Sequence, residues 1–139
     1  MLIIYNHRGY AIIYGGVSIL PEALILEAIE VARKAIAAAS DKQASDIVLL
    51  DVRTVCGFAD YFVISTGDTE RQIRTIYEEI ERTLKKDRIL PNHHEGSVDS
   101  GWFLLDYGDV IVHIFAAFER EYYQLDKLWS QAKLVLRIQ

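Results

Sequence analysis

Apolar and polar positions alternate along the chain with two different periods. From Pro21 to Ala39, Ile25, Ile29, Ala32, Ile36 and Ala39 recur at three-to-four spacing, while Glu27, Glu30 and Lys34 fall on the other side. That period predicts an amphipathic helix, with Pro21 suited to its first turn and Ser40-Asp41-Lys42 closing it. Two short runs follow, Asp46–Val52 and Asp60–Thr66, each apolar between polar flanks, as expected of strands buried on both faces. Thr54–Ala59 connects them. After Gly67-Asp68-Thr69 the helical period returns with Ile73, Ile76, Tyr77, Ile80 and Leu84. Thr69 and Gln72 have the spacing of a capping box. Lys85, Lys86 and Arg88 at the far end complement a helix dipole.

Leu90–Ser100 reads as a polar loop with room for a short edge strand. Trp102–Asp106 and Asp109–Phe115, joined through Tyr107-Gly108, read as a hairpin. Ala116–Ser130 is expected to be one helix with Phe118, Tyr122, Leu125 and Trp129 on a single stripe. The apolar tail to Gln139 is expected to dock. The predicted order is α-β-β-α-(β)-β-β-α. This is an α/β (α+β layered) arrangement, a mixed sheet with helices packed on it, and the hairpin excludes a uniformly parallel sheet.

Residues 1–20 stand apart as an N-terminal extension, with 21–139 as the domain. The extension is apolar in patches but broken by Asn6, His7, Arg8 and Gly9. It matches neither a membrane span nor a secretory signal. Two readings stay open: a hairpin of Leu2–Tyr5 and Tyr10–Tyr14, or an annotation artefact with translation starting downstream, for example at Val17.

Composition narrows the classes. The 139 residues carry a formal charge of -5, which gives no long-range attraction to phosphate backbones and favours a basic protein partner over nucleic acid. A single cysteine, Cys56, excludes an intrachain disulfide and a cysteine-based zinc site. Gly67 sits at a strand-to-helix turn but matches no phosphate-loop pattern, and N-capping explains the segment better. Adjacent His93 and His94 point to opposite sides in extended backbone, so both do not easily ligate one metal, which leaves one of them together with His113 as the metal alternative. His113 points away from Val112 and Ile114 and reads as a surface or interface residue. Asp51, Asp60, Asp106 and Asp109 sit at strand ends, and no D-x-D pair occurs. Catalysis, cofactor and metal are therefore not indicated. Aromatic residues crowd the last forty positions. One of Trp102 and Phe103, adjacent in a strand, must face the side away from its neighbour, and an exposed aromatic there is a binding anchor.

Three blocks, DIVLLDVRTVCGFADYFVISTGDTERQIRTI, EGSVDSGWFLLDYGDVIVHIF and EREYYQLDKLWSQA, resemble the ribosomal silencing factor (Iojap-like) family over about Glu22 to Ala132. The resemblance implies a nucleotidyltransferase-related fold, a homodimer and a cytoplasmic, non-enzymatic role. It implies binding to ribosomal protein L-fourteen on the large ribosomal subunit, steric blockage of subunit joining and repression of translation under nutrient limitation. Carried over by position, the contact surface is Trp102, Asp106 and Tyr107, with His113, Glu119 and Tyr123 from the segment that follows. The position of Tyr107 is more often aliphatic in the family. Alternatives are a large-subunit assembly factor without silencing, or a metal-dependent enzyme near Asp51, Asp106 and Asp109.

Overall fold

The computed structural model describes the backbone of three N-terminal strands and all of residues 26–139. Leu2–Asn6 (β1) and Gly9–Tyr14 (β2) pair antiparallel with Tyr5 opposite Tyr10, and Val17–Ser18 (β3) adds to β2. The hairpin read from the sequence is therefore present, each strand meeting the other one residue further along. Pro21, and with it the expected first turn of the first helix, lies outside the described residues.

The first helix, Ala28–Asp41 (α1), is preceded by extended Glu27, so the described helix begins seven residues later than its apolar period suggests. Its buried side is rich in small residues, with Ala32, Ala35 and Ala39 fully enclosed. Small side chains let α1 lie close to its neighbours. Ser45–Asp51 (β4) and Tyr61–Gly67 (β5) follow as antiparallel strands, and every residue of β5 is buried. Glu70–Lys85 (α2) then packs beside α1 through Ile73, Ile76, Ile80 and Leu84.

The start of α2 is fixed locally. The Gln72 N–H donates to Thr69 Oγ1 at 3.1 Å, and Gln72 Oε1 accepts from the Asp68 N–H at 2.6 Å. The return bond of the expected box thus reaches Asp68 rather than Thr69. Gln72 Nε2 also donates to the carbonyls of Lys42 and Gln43, tying the beginning of α2 to the end of α1.

The polar loop does hold an edge strand, His93–Ser97 (β6), paired with Trp102–Asp106 (β7), which forms the expected hairpin with Val110–Ala116 (β8). Gly108, at φ +85°, supplies the left-handed turn residue there. With the C-terminal strand Lys133–Ile138 as β9, the sheet order is β6-β7-β8-β5-β4-β9, and only β5 and β8 run parallel.

At the C-terminus one expectation fails and one is borne out. The single helix over Ala116–Ser130 is instead Ala117–Tyr123 (α3) and Leu125–Leu128 (α4), broken at Gln124, whose φ of 48° is left-handed. The break drops Leu125 onto the sheet while Phe118 and Tyr122 stay 73% and 70% exposed, so the continuous stripe does not form. The tail docks as a full strand, Lys133–Ile138 (β9), antiparallel to β4 at the sheet edge.

The sheet thus separates two cores. Ile47, Leu49, Val63, Leu105, Val112 and Ile114 meet α1 and α2 on one face. Val48, Leu50, Phe62, Ile64, Ile111 and Phe115 lie on the other, where the described residues that cover them include Leu125 and partly buried Val55, Cys56, Trp129 and Ala132.

A candidate partner-binding face

Strand alternation decides which aromatic residue of β7 is available. Phe103 is 5% exposed in the helix-covered core and stacks on Tyr77 at 4.3 Å. Trp102 belongs to the thinly covered face and is half-buried there. Its ring lies 5.0 Å from Phe115 and 4.7 Å from Tyr123. Its indole N–H donates to His113 Nδ1 at 3.2 Å.

His113 does alternate with Val112 and Ile114, but it is 4% exposed, so it is not a surface residue. It lies beneath Trp102 and among Phe62 and Phe115. Accepting at Nδ1 puts the ring proton on Nε2. Burial opposes charging and pushes the imidazole down to about 3.

Two shallow hollows flank Trp102. One, of about 300 Å³, is walled by Phe58, Phe62, Leu104 and Trp129, with His113, Asp106, His93 and Glu95 also lining it. Phe62 and Trp129 meet edge to face at 5.2 Å. The other, of about 310 Å³, lies between Trp102, Leu104, Tyr123, Ser100 and Glu95. Apolar walls with a few polar groups suit an inserted partner side chain.

The remaining residues carried over from the resemblance are distributed unevenly. Asp106 shares the first hollow, and its Oδ1 accepts the Gly108 N–H at 2.7 Å while Oδ2 lies 3.5 Å from His93 Nε2. Glu119 packs its carboxyl against Gly101, where φ is +80° and a Cβ would meet Glu119 Cδ at 2.2 Å. Tyr123 joins Trp102. Tyr107 does not: it packs into the helix-covered core, where burial and nearby Glu81 hold its phenol protonated well above the usual range. Sequence reasoning missed Phe58, Phe62, Leu104 and Trp129. An aromatic residue in a glycine-containing connection, Phe58 beside Gly57, was the available signal.

The other residues weighed for chemistry have structural employment. A Cβ on Gly67 would approach Ile73 Cγ1 to 2.7 Å, so glycine there permits the close approach of α2. Asp51 is paired with Arg53, which holds its carboxyl below the usual range. His93 faces Glu95 and Asp106, whereas His94 stacks on Phe103 from the opposite side. Among the described residues, no three histidine, cysteine or carboxylate side chains converge. A polar cluster joins the C-terminal elements to β4. Buried Arg120 donates to the Asp46 carbonyl at 2.9 Å, to Thr66 Oγ1 at 3.0 Å and to Asp126 at 3.1 Å, and Arg137 holds Asp46 from the side.

This mixed sheet, with a helix pair on one face and an aromatic surface on the other, is an α/β fold already seen in solved proteins. A crystal structure from Chromobacterium violaceum superposes with a TM-score of 0.73 at 30% identity, covering 76% of this chain and 88% of that one. The sequence comparisons are more specific. The family model described as "Ribosomal silencing factor during starvation" matches residues 25–139. Ribosomal silencing factor RsfS of Bacillus subtilis is 42% identical over 100 residues, 72% of this chain and 85% of the relative. A mouse protein named "Mitochondrial assembly of ribosomal large subunit protein 1" is 27% identical over 92 residues, 64% of this chain and 40% of that protein. The chain belongs to the ribosomal silencing factor family.

Proposed function

We propose that this chain binds the large ribosomal subunit through the Trp102 face, engaging ribosomal protein L-fourteen, and blocks the small subunit from joining. The outcome is repression of translation when nutrients are limiting, achieved by occupancy and without catalysis. Family membership supports the ribosomal partner. The observation that supports this face is the half-buried Trp102, held on Phe115 and Tyr123 between two apolar hollows. The chain's net charge of -5 suits a basic ribosomal protein. The same reading makes the protein a cytoplasmic homodimer, with residues 1–20 an extension outside the binding domain.

A light-scattering assay of subunit association tests this. Added protein should lower the yield of joined ribosomes, and Trp102→Ala should relieve the effect. Absence of binding to large subunits would refute the proposal outright. The name of the mouse relative favours a second reading, large-subunit assembly without silencing. Tight binding to large subunits with unaltered subunit joining would select it.

A further inference from the structure

Helix α3 is built inside out. Its buried residue is Arg120, whose guanidinium reaches Asp46, Thr66 and Asp126, while Phe118 and Tyr122 remain largely in solvent. An amphipathic helix docks by burying its apolar side. This one leaves two aromatic rings in water, so folding does not account for them. The two rings are nearly parallel, at 17° with centroids 6.0 Å apart, and together present a π surface on the outer side of the helix. Tyr122 meets Tyr123 edge to face at 5.1 Å, and Tyr123 in turn meets Trp102. The outer side of α3 is therefore continuous with the aromatic face, although neither ring lines the two hollows there. Contiguous exposed aromatics of this kind mark binding surfaces.

Charge decides what this surface takes. Helical periodicity places Glu119 and Glu121 on either side of the Phe118–Tyr122 line, with Arg120 opposite. Glu119 packs against Gly101, whereas Glu121 is exposed and has no hydrogen bond or ion pair among the described residues. Carboxylates flanking the rings repel phosphate, which disfavours a stacked nucleic-acid strand or an anionic membrane surface. They equally repel the same patch on a second copy, since the arginine of α3 is buried and engaged. A lysine supplies charge on a compact, strongly hydrated head. A guanidinium is planar and weakly hydrated, lies flat on an aromatic ring and offers its edge to a carboxylate. We propose that the outer side of α3 is a docking surface for an arginine side chain of a basic protein segment, stacked on Phe118 and Tyr122 and paired with Glu121. The source of that segment rests on the ribosome-binding reading above: continuity through Tyr123 to Trp102 makes it part of a large-subunit ribosomal protein. The contact lies outside both hollows and adds selection for a planar cation to a mainly apolar face.

Cosedimentation of the full chain with purified large ribosomal subunits tests this, with thermal melting as the control for folding. Phe118→Ala should weaken binding about fivefold, as expected for one cation–π contact, and leave melting nearly unchanged because the ring is so exposed. Phe118→Leu separates arginine stacking from plain apolar contact. Leucine keeps much of the apolar area but has no π face, so it should bind about as weakly as the alanine variant. Glu121→Gln should weaken binding about threefold at low salt and flatten its salt dependence. Wild-type affinity in folded Phe118→Leu, or in Glu121→Gln, overturns the arginine contact. If Phe118→Ala is also unaffected while Trp102→Ala is impaired, α3 lies outside the interface and the ribosome-binding reading stands. Failure of the wild type to bind large subunits overturns both.

Discussion

Acidification should weaken this fold through His113 by an amount the structure allows one to work out. An imidazole in an unfolded chain titrates near 6.5. Burial beneath Trp102 pushes that of His113 down to about 3. Between those values the unfolded chain binds a proton that the native protein refuses, so stability rises with pH across the window. The contribution is complete above about pH 6.5, declines as the pH falls through 6 and 5, and is fully lost once the pH drops below about 3. At pH 4.5 the difference is roughly 2 pH units at about 1.4 kcal/mol each, or about 3 kcal/mol. Little solvent screening reduces this, because the side chain is almost entirely enclosed.

Urea unfolding of wild type and His113→Asn at pH 7.5, 6.5, 5.5 and 4.5 measures the effect. The two proteins share every other ionisable group, so the difference between the two curves isolates His113. From pH 7.5 to 4.5 that difference should move in favour of the asparagine variant by about 3 kcal/mol, with a slope of about 1.4 kcal/mol per unit below pH 6. Protonating Nδ1 would also remove the acceptor of the Trp102 indole. The fluorescence change should therefore coincide with unfolding and not precede it. Parallel curves for the two proteins would refute the buried, neutral imidazole.

Three further outcomes follow from named contacts. Arg120→Met strips partners from Asp46, Thr66 and Asp126; because Arg137 still holds Asp46, the loss in urea unfolding should be about 2–3 kcal/mol, below the usual range for breaking a buried pair. A loss under about 1 kcal/mol would show the cluster to be idle. Thr69→Ala removes the α2 cap and should cost about 1 kcal/mol by thermal melting. Trp102→Ala should weaken large-subunit binding by about 2 kcal/mol or more, whereas Trp102→Phe keeps most of the stack and should lose less; equal losses would place the energy in the indole N–H.

Much of the fold was legible because its central elements announce themselves locally. DIVLLDV and DYFVIST are apolar runs with polar flanks, and α2 carries its stripe and its cap within sixteen residues. The misreadings lie where distant parts of the chain decide. Lys133–Ile138 becomes a strand only because β4, more than eighty residues earlier, offers it a free edge. The helix after Ala116 has no local reason to stop at Gln124. Its break satisfies Leu125, which needs the sheet, and Arg120, whose partners Asp46 and Thr66 come from β4 and β5. The candidate site was harder still. Phe58 comes from a connection, Trp129 from the end of α4, and Trp102 from a strand, so their common hollow is a property of the sheet and of no sequence window.

Tyr107 puts that distinction to a test. By sequence position it belongs with Trp102 and Asp106, but β7 alternation sends it to the face covered by α2. Its hydroxyl is buried with no hydrogen-bond partner among the described residues, so the oxygen contributes desolvation cost and no compensating bond. Tyr107→Phe should therefore leave stability unchanged or raise it by about 1 kcal/mol. Tyr107→Ala, which also removes the ring from the core, should lose about 2–4 kcal/mol. Neither should alter large-subunit binding beyond its effect on the folded fraction, since the ring lies across the sheet from both hollows. If Tyr107→Phe melts like wild type yet binds large subunits several-fold more weakly, the partner must wrap around the hairpin tip to reach the α2 side. Recognition would then use both faces of β7, and a contact centred on Trp102 alone would be too small an account of the interface.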